Sequence, residues 1–545
     1  MAGNFKLRSS ALLSINQWRG WTSSRLQRLI GSLDWIVVGT LLLLIVLGFG
    51  LRSFQIGAIG FAEDEMNKLD AVRAYERHDF SANAEHPMIM KDLILLSLYA
   101  SADDSDEVAL RLPNIMIGAL TVIPLFLLTA AFFDRWTALL AAAFWAFGIN
   151  AITHNRIGKE DTLLVFFMLF AFYFFLRAKQ TSPTNERVRS RNYVASAGFF
   201  GLMMAAKYFP HYLGLNMLYH HNFHVRKAGP NEPAGKTPGL FFILIIVVFL
   251  LANPAVLLPQ VWHYLDLYMG ERLLSHSGYL FGGRLYKNNM SSSPFWGTPI
   301  YFYLLFLAVK VPLLVLGPFL VGLGISIKRW RHVGHAFVLF MFLFWIVPYS
   351  LGGSKWLRYT LSMMPFVYML AAVGVVALVQ ATTSVFSRWK GAAPTLSFIA
   401  VVVFIGLPAW TAVSSAPHYA LYTNALAPGK AGFYFPHDEF YDDGLREAIK
   451  YVCDEAPQGA TIAHETPAVA RYYLERFGRL DLNSRTISSE DFDLASASGH
   501  VYVIVQRGRT YFENNRELAF VRSYFRRIHE VRIDGAIAVE VFVNQ

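Results

Sequence analysis

The stretch "DWIVVGTLLLLIVLGFGL" (Asp34–Leu51) is the first long apolar run of the chain and decides its fold class. As an α-helix rising about 1.5 Å per residue it is long enough to cross most of a bilayer core about 30 Å thick. No short apolar run with a small-residue cleavage site precedes it, so we expect an anchor that stays in place. Of the 545 residues 54% are hydrophobic and 16% charged, which predicts a polytopic membrane protein.

The charges around this run predict its orientation. Residues 1–33 carry five basic residues and no acid, namely Lys6, Arg8, Arg19, Arg25 and Arg28. By the positive-inside rule this segment is cytoplasmic. Residues 52–111 hold twelve acids against six bases, as expected for an extracytoplasmic loop. The net charge of +10 therefore indicates topology, and we expect no nucleic-acid partner.

Ten further apolar runs predict helices, which makes eleven crossings. They lie near 108–133, 136–153, 162–178, 193–206, 209–221, 238–253, 298–327, 334–350, 357–381 and 394–412. The stretch 193–221 has to form two short helices that turn near Lys207, because a single span would invert everything downstream. With this turn, the basic loops "RAKQTSPTNERVRSR", "HVRKAGPNEPAGK", "KRWRH" and "SRWK" fall on the cytoplasmic side.

Residues 413–545 have a different composition and predict a small extracytoplasmic α/β domain after the transmembrane domain 34–412. Short apolar runs of strand length are "GATIAHE", "HVYVIVQ" and "AIAVEVFVN". Helical stretches between them are "DDGLREAIKYVCDEAP", "TPAVARYYLERFGR" and "NNRELAFVRSYFRRIHEV". We find no nucleophile–base pair or phosphate loop here, and interpret the domain as an acceptor-facing or stabilising module. The single cysteine, Cys453, excludes an intramolecular disulfide.

The external loop 52–110 holds the candidate catalytic residues. An acidic triplet, Glu63, Asp64 and Glu65, precedes "EHPMIMKD" with His86 and Lys91. By itself such a triplet is typical of a helix start, where carboxylates meet the positive end of the dipole. On the predicted topology, however, "NRIGKED" (155–161), Lys207 and "KWLRY" (355–359) reach the same outer face. Basic residues there run against the topological bias, which indicates a function.

In this order the motifs resemble the GT-C superfamily of membrane glycosyltransferases that use polyprenyl-phosphate-linked sugars, specifically the protein O-mannosyltransferases and the lipid A aminoarabinose transferase. Asp64-Glu65 is similar to the Asp-Glu pair of those families, and "HPMIMK" to their His-Pro-Pro signature, with Met88 in place of the second proline. The other matching positions are Arg156, Asp161, Lys207, Lys355, Arg358 and Tyr359. The resemblance covers about 34–425.

The resemblance implies an inverting transfer of a monosaccharide from a polyprenyl-phosphate donor to an acceptor hydroxyl. Asp64 is the candidate general base, and Glu65 or Glu63 orients it or the acceptor. A triplet of like charges is expected to raise the pKa of at least one carboxyl group. The cations expected to meet the leaving phosphate, or the acceptor, are Lys91, Arg156, Lys207, Lys355, Arg358 and, from "LFGGRLYKNN", Arg284. Among them Arg358 is favoured, because a guanidinium holds phosphate in a two-pronged way.

His86, Asp161 and Tyr359 complete the candidate binding residues. His86 could bind phosphate, acceptor or a divalent ion, or could shape the loop beside Pro87. A weakly bound metal is conceivable from Glu63, Asp64, His86 and His276, but their spacing matches no recognised ligand pattern, so we expect no required metal or other cofactor.

The resemblance also implies an acceptor and a cellular location. We expect serine or threonine of an exported protein as acceptor, with an envelope glycolipid or polysaccharide as the alternative. The loop 253–294 is too short for the β-rich domain that fungal and animal mannosyltransferases insert there, which indicates a compact relative in a bacterial cytoplasmic membrane. A secondary transporter is the rival class, although its usual internal repeat is missing, and a noncatalytic scaffold is another.

Overall fold

The computed structural model describes residues 34–101, 105–182, 184–225, 237–270, 277–385 and 392–544. Several features predicted from the sequence lie outside these ranges. They are the basic segment 1–33, most of the basic loops at 224–236 and 387–390, and His276.

Helices dominate the first four hundred residues. The helices are α1 (Trp35–Ser53), α2 (Glu63–Glu76), α3 (Ile89–Ala100), α4 (Asp106–Leu120), α5 (Val122–Phe132), α6 (Arg135–Phe147), α7 (Ile149–Asn155), α8 (Asp161–Gln180), α9 (Glu186–Ala206), α10 (His211–His220), α11 (Gly239–Ala252), α12 (Pro259–Met269), α13 (Phe302–Lys310), α14 (Leu313–Lys328), α15 (Val333–Leu351), α16 (Met364–Val385), α17 (Ala392–Val401) and α18 (Leu407–Ser414). A two-stranded hairpin, β1 (Gly278–Phe281) and β2 (Arg284–Lys287), precedes α13.

A helix covers each of the eleven predicted apolar runs, but several helices are shorter than a full span. Among the described residues, five are long and apolar enough to cross a membrane, or six if the bent pair α6 and α7 counts as one span. The eleven crossings and the orientation therefore stay predictions.

Three breaks have local causes. The predicted break at Lys207 is present, since α9 ends at Ala206 and α10 begins at His211. The predicted single helix 298–327 is instead two, because Pro312 has no backbone N–H to continue α13. At Gly148 the chain bends by 53° between α6 and α7. A Cβ there would lie 2.1 Å from the Tyr368 hydroxyl oxygen, so only glycine fits this bend.

The C-terminal region contains a five-stranded sheet. Its helices are α19 (Pro436–Phe440), α20 (Leu445–Glu455), α21 (Pro467–Arg476) and α22 (Asn515–Tyr524), and its strands β3 (Thr461–His464), β4 (Asn483–Thr486), β5 (Val501–Gln506), β6 (Arg526–Ile533) and β7 (Ala536–Val543). The strand order is β4-β3-β5-β7-β6. Strands β4, β3 and β5 are parallel, whereas β7 and β6 pair antiparallel.

The three predicted strands are confirmed as β3, β5 and β7, and the predicted helices as α20, α21 and the first half of the third stretch. The second half of that stretch, predicted as helix, is strand β6. Its sequence "RRIHEVRI" is an edge strand with three exposed, three half-buried and two buried side chains, and five of its residues are polar or charged, so its pattern carries little apolar signal. Strand β4, "NSRT", is polar and only four residues long, and no apolar pattern indicates it.

The helical bundle and the sheet share one buried core. A continuous cluster of buried apolar residues runs from α1 through the helices into α20 and α21. The loop after α1 is also tied to the C-terminal region, because the Phe61 amide donates to the Tyr473 hydroxyl at 2.8 Å and Arg446 donates to the Gly57 carbonyl at 2.9 Å. Helices α20 and α21 of the C-terminal region therefore contact the external loop directly, although the boundary at residue 413 stays a prediction.

Helices α14 and α16 approach each other closely at two glycines. A Cβ on Gly322 would lie 1.9 Å from the Leu370 carbonyl oxygen, and one on Gly374 would lie 1.9 Å from the Pro318 carbonyl oxygen. Small residues at such crossings let the two backbones pack in direct contact.

We predict that Gly322→Ala lowers the stability of the detergent-solubilised protein by about 1–3 kcal/mol, because the added methyl group forces the helices apart. Gly324→Ala is the matched control, since no atom lies within 4 Å of its Cβ position on the same helix. Thermal unfolding of both variants measures the effect. Equal melting temperatures for the two variants would contradict this account of the crossing.

Candidate active site

A cavity of about 1470 Å³ lies between the external loop, the helical bundle and the C-terminal region. Its polar end is lined by side chains that the chain supplies from five segments, namely Glu63, Asp64, His86, Lys159, Arg358, Tyr359, His437, Tyr441, Arg509 and Tyr511. Its other end is lined by Phe209, Leu215, Phe344 and Pro348, the last three of which lie on α10 and α15. One cavity thus joins a charged end to an apolar end among the helices.

Asp64 lies at the polar end, in the first turn of α2, and is held by three donors. Arg358 donates to its Oδ2, and Lys159 Nζ lies 2.9 Å from its Oδ1. The Tyr441 hydroxyl donates to Oδ2 at 2.5 Å. The Asp64 side chain keeps 28% of its surface exposed in the cavity, so a substrate can reach it.

The pKa values of the acidic triplet differ by environment. Burial raises the pKa of Asp64, but Arg358 and Lys159 outweigh burial and hold that pKa well below its usual range. The pKa of Glu63 is raised, first by burial and then, against the effect of Arg509, by Asp442 and Asp64. The predicted increase is therefore present at Glu63, whereas Asp64 in this state is an ionised, weak base.

Arg358 and Lys159 both form their direct ion pair with Asp64. Glu160, the neighbour of Lys159, pairs instead with Lys68 at 2.6 Å, and His86 Nδ1 lies 3.7 Å from the same carboxylate. Because Arg358 and Lys159 line the cavity, both can also contact an anionic group there.

Glu63 faces the C-terminal region. Arg509 Nη1 lies 2.6 Å from Glu63 Oε2, and the same guanidinium pairs with Asp442. Asp442 Oδ2 also accepts a hydrogen bond from the Glu63 backbone amide at 3.0 Å. The residue before α2 is Ala62, which has no side chain to cap the helix, so Asp442 caps it from 379 residues away.

Glu65, the third member of the triplet, does not line the cavity. It is 1% exposed and forms a two-pronged ion pair with Arg111, at 2.8 and 2.6 Å. It also accepts a hydrogen bond from the Gly158 amide at 3.0 Å. The contacts of Glu65 join α2 to α4 and to the segment that carries Lys159, so Glu65 stabilises the packing of these elements.

Three of the predicted phosphate-binding cations are turned toward backbone carbonyls. Lys91 donates to the carbonyls of Ala82, Asn83 and His86, and Arg156 to those of Arg52 and Phe54. Lys355 donates to the carbonyls of Thr298 and Gly352. None of the three lines the cavity, because each one satisfies buried carbonyl groups of a loop.

The remaining predicted residues divide between the cavity and its surroundings. Lys207 pairs with Asp161 at 2.6 Å, and both are buried outside the lining. Arg284 lies on β2 over the Tyr286 ring and also lies outside the lining. Arg358, Tyr359 and His86 do line it. The structure thus brings Asp64, Glu63, His86, Arg358 and Tyr359 together.

Sequence reasoning missed Lys159, Tyr441 and Arg509. Lys159 stands inside the quoted "NRIGKED" motif, and its place between Arg156 and Asp161 was a usable signal. Tyr441 and Arg509 belong to the C-terminal region, and no local pattern indicates that either reaches a residue in the first external loop.

The described residues contain no group of three histidine, cysteine, aspartate or glutamate side chains placed to hold a metal ion. His276 lies outside them. The absence of a required metal or cofactor stays a prediction.

The fold is similar to those of two solved structures. Among solved structures, the apo state of ArnT from Cupriavidus metallidurans is similar with a TM-score of 0.51 and 14% identity, covering 94% of this chain and 98% of its own. The apo oligosaccharyltransferase from Archaeoglobus fulgidus is similar with a TM-score of 0.50 and 11% identity, covering 87% of this chain and 70% of its own.

Residues 85–258 match the family of dolichyl-phosphate-mannose-protein mannosyltransferases. No curated protein sequence matches the chain. The predicted resemblance to GT-C glycosyltransferases is confirmed by this match together with the fold.

Glu465 lies behind Arg509, at the carboxyl end of β3. It is buried and accepts hydrogen bonds from Asn514 and Ser488, each at 2.8 Å, and Asn514 also donates to the Arg509 carbonyl. Burial raises the pKa of Glu465 to about 7.

We predict that Glu465 makes the protein less stable as pH rises from about 4.5 to about 7, because the folded state binds a proton that the unfolded state releases. The loss is on the order of 3 kcal/mol. Glu465→Gln removes the titrating group and with it this loss of stability. The melting temperature of the variant, relative to that of the wild type, should therefore increase as pH rises from about 4.5 to about 7. A difference that stays constant from pH 5 to pH 8 would contradict the assignment.

Proposed function

We propose that this protein transfers a monosaccharide from a polyprenyl-phosphate donor to an acceptor hydroxyl, with inversion at the anomeric carbon. One observation carries the proposal: Asp64 shares a cavity with two cations, Arg358 and Lys159, and that cavity continues to apolar side chains on α10 and α15. The site therefore offers a base, an anion-binding group and an apolar surface, which are the three features that a lipid phosphate donor and an alcohol acceptor require.

The donor phosphate is proposed to bind at Arg358 and Lys159. These two cations are both paired with one carboxylate, Asp64. A phosphate that binds them therefore adds a second negative charge beside two positive charges, and does not have to displace a one-to-one ion pair. The first isoprene units would lie against Leu215, Phe344 and Pro348 at the apolar end of the cavity. A soluble nucleotide sugar has no hydrocarbon chain that could bind to those apolar side chains.

The reaction then follows from the charges. The acceptor oxygen attacks the anomeric carbon and its proton passes to the Asp64 carboxylate, while the bond from that carbon to the phosphate oxygen breaks. The leaving polyprenyl phosphate gains one negative charge, which Arg358 and Lys159 stabilise. As the phosphate draws these cations toward itself, the pKa of Asp64 rises from its depressed value and its carboxylate becomes a stronger base.

The acceptor that we propose is a serine or threonine hydroxyl of an exported protein. The match of residues 85–258 to a protein mannosyltransferase family supports this choice and supports mannose as the sugar. We place the site on the extracytoplasmic face of a bacterial cytoplasmic membrane, with the N-terminus inside. The basic N-terminal segment and the acidic loop 52–111 support this orientation.

We predict that Asp64→Asn lowers transfer by about 10²- to 10⁴-fold, because the amide keeps the size of the side chain and cannot accept the proton. The assay follows mannose moving from a synthetic polyprenyl-phosphate mannose to a peptide, in detergent, by mass spectrometry. Asp79→Asn is the control, since Asp79 lies in the same loop outside the cavity and bonds Ser81. Normal turnover of the Asp64 variant would overturn the assigned base. Absence of any transfer by the wild type would favour the transporter or scaffold.

We predict that Arg358→Gln lowers kcat/KM for the lipid donor by about 10²- to 10³-fold, because the leaving phosphate loses a charged donor. Arg527→Gln on the exposed face of β6 removes an equal charge from a surface ion pair and should leave the rate unchanged. The two variants are compared at varied donor and fixed acceptor concentration, and again at varied acceptor and fixed donor concentration. An Arg358 variant whose defect is confined to KM for the acceptor would contradict the phosphate assignment.

A further inference from the structure

A turn in the C-terminal region has an unusual backbone. Tyr441 has φ 46° and Asp442 has φ 67°, and Gly444 follows with φ 87°. Left-handed φ values are costly for a bulky residue such as tyrosine and persist only where the surroundings enforce them. Here the two side chains of the turn explain the conformation, because both point into the catalytic cluster.

The contacts of this turn are with the start of α2. Asp442 caps the helix at the Glu63 amide and is itself held by Arg509, through a 2.7 Å bond from Nε to Oδ1 and a second bond from Nη2 to Oδ2. Gln506, at the end of β5, donates to Asp442 at 2.8 Å. Tyr441 donates its hydroxyl to Asp64. The turn thus fixes both the helix and the carboxylate that the helix carries.

We infer that Tyr441 is a positioning residue for Asp64, so that the C-terminal domain completes the active site and does more than present an acceptor. The inference rests on the proposed function, in which Asp64 is the base. It assigns the orientation of the base to a residue that lies 377 positions away from Asp64 in the sequence.

The hydroxyl is needed because the other donors to Asp64 have a second task. Asp64 Oδ2 accepts hydrogen bonds from both Arg358 and Tyr441. When a donor phosphate binds Arg358 and Lys159, the neutral hydroxyl of Tyr441 still orients the carboxylate. Burial, followed by the charge of Asp64, raises the pKa of Tyr441 well above its usual value, so the hydroxyl stays protonated and keeps donating.

The titratable and charged groups that face Asp64 come from every element packed around it. They are Glu63 on its own helix, Lys159 before α8, Arg358 after α15, His437 on α19, and Tyr441 in the turn. Of these, Arg358, Lys159 and Tyr441 favour the ionised form of Asp64. Removal of the Tyr441 hydroxyl therefore raises the pKa of Asp64 with the cations still in place.

The test is Tyr441→Phe, which keeps the ring and its place in the turn. We expect kcat for sugar transfer to fall about 10-fold, with KM for the lipid donor unchanged, and the acidic limb of the kcat profile to move to higher pH. Tyr451→Phe is the matched control, because Tyr451 stacks on His529 in the same domain at 4.0 Å between ring centroids. A wild-type kcat and pH profile for Tyr441→Phe overturns the inference.

A second measurement does not depend on turnover. Carbodiimide couples protonated carboxyl groups to an added amine, and peptide mass spectrometry reads the labelling rate at Asp64. At pH 5 we expect Tyr441→Phe to label faster than the wild type, about 10-fold for each unit by which the pKa rises. An unchanged rate overturns the inference even if the wild type transfers no sugar. If the wild type transfers no sugar but Tyr441→Phe labels faster, the positioning of Asp64 by Tyr441 is supported and the proposed function has failed.

Discussion

The ion cluster of Asp64 with Arg358 and Lys159 is the interaction on which the rest of the site depends. Its three members come from α2, from the segment after α15 and from the segment before α8, so the cluster exists only when these elements are packed together. Partly buried charges are costly unless they are paired. The pairs behind the cluster, Glu65 with Arg111 and Lys68 with Glu160, join α2 to α4 and to the segment before α8 without entering the cavity.

The C-terminal region is joined to this cluster by side chains. The Asp442 carboxylate caps α2, Arg509 pairs with Glu63, and Arg476 pairs with Glu107 at 2.9 Å. Ligands of open α/β sheets commonly lie beyond the carboxyl ends of parallel strands. Here Arg509, which follows the carboxyl end of β5, pairs with Glu63 in the external loop, and Gln506 at that end of the strand donates to Asp442. The loop after β5 therefore forms part of one wall of the candidate active site.

The sequence predicted the helices of the bundle and three strands of the sheet well, because their apolar runs are long or alternate clearly. It missed β4, whose side chains are polar and mostly exposed, and β6, in which polar and charged residues outnumber the apolar ones. In the site, Arg358 follows from a basic charge that is unusual for an outer face, and Asp64 from the Asp-Glu pair of the families that the chain resembles. Lys91, Arg156 and Lys355 have the same signal, yet they donate to backbone carbonyls. Nothing in a single sequence distinguishes a cation that holds a loop from one that awaits a phosphate. Tyr441 reaches Asp64 through tertiary packing alone.

The central claim is that one cavity holds a lipid phosphate between Arg358 and Lys159 with its chain toward α10 and α15. A cryo-electron microscopy structure of the purified protein with polyprenyl phosphate tests it most directly. The account predicts phosphate density within hydrogen-bonding distance of both cations, with Asp64 released from Arg358 and isoprene density against Leu215 and Phe344. Phosphate density elsewhere on the protein, with the ion cluster intact, would contradict it.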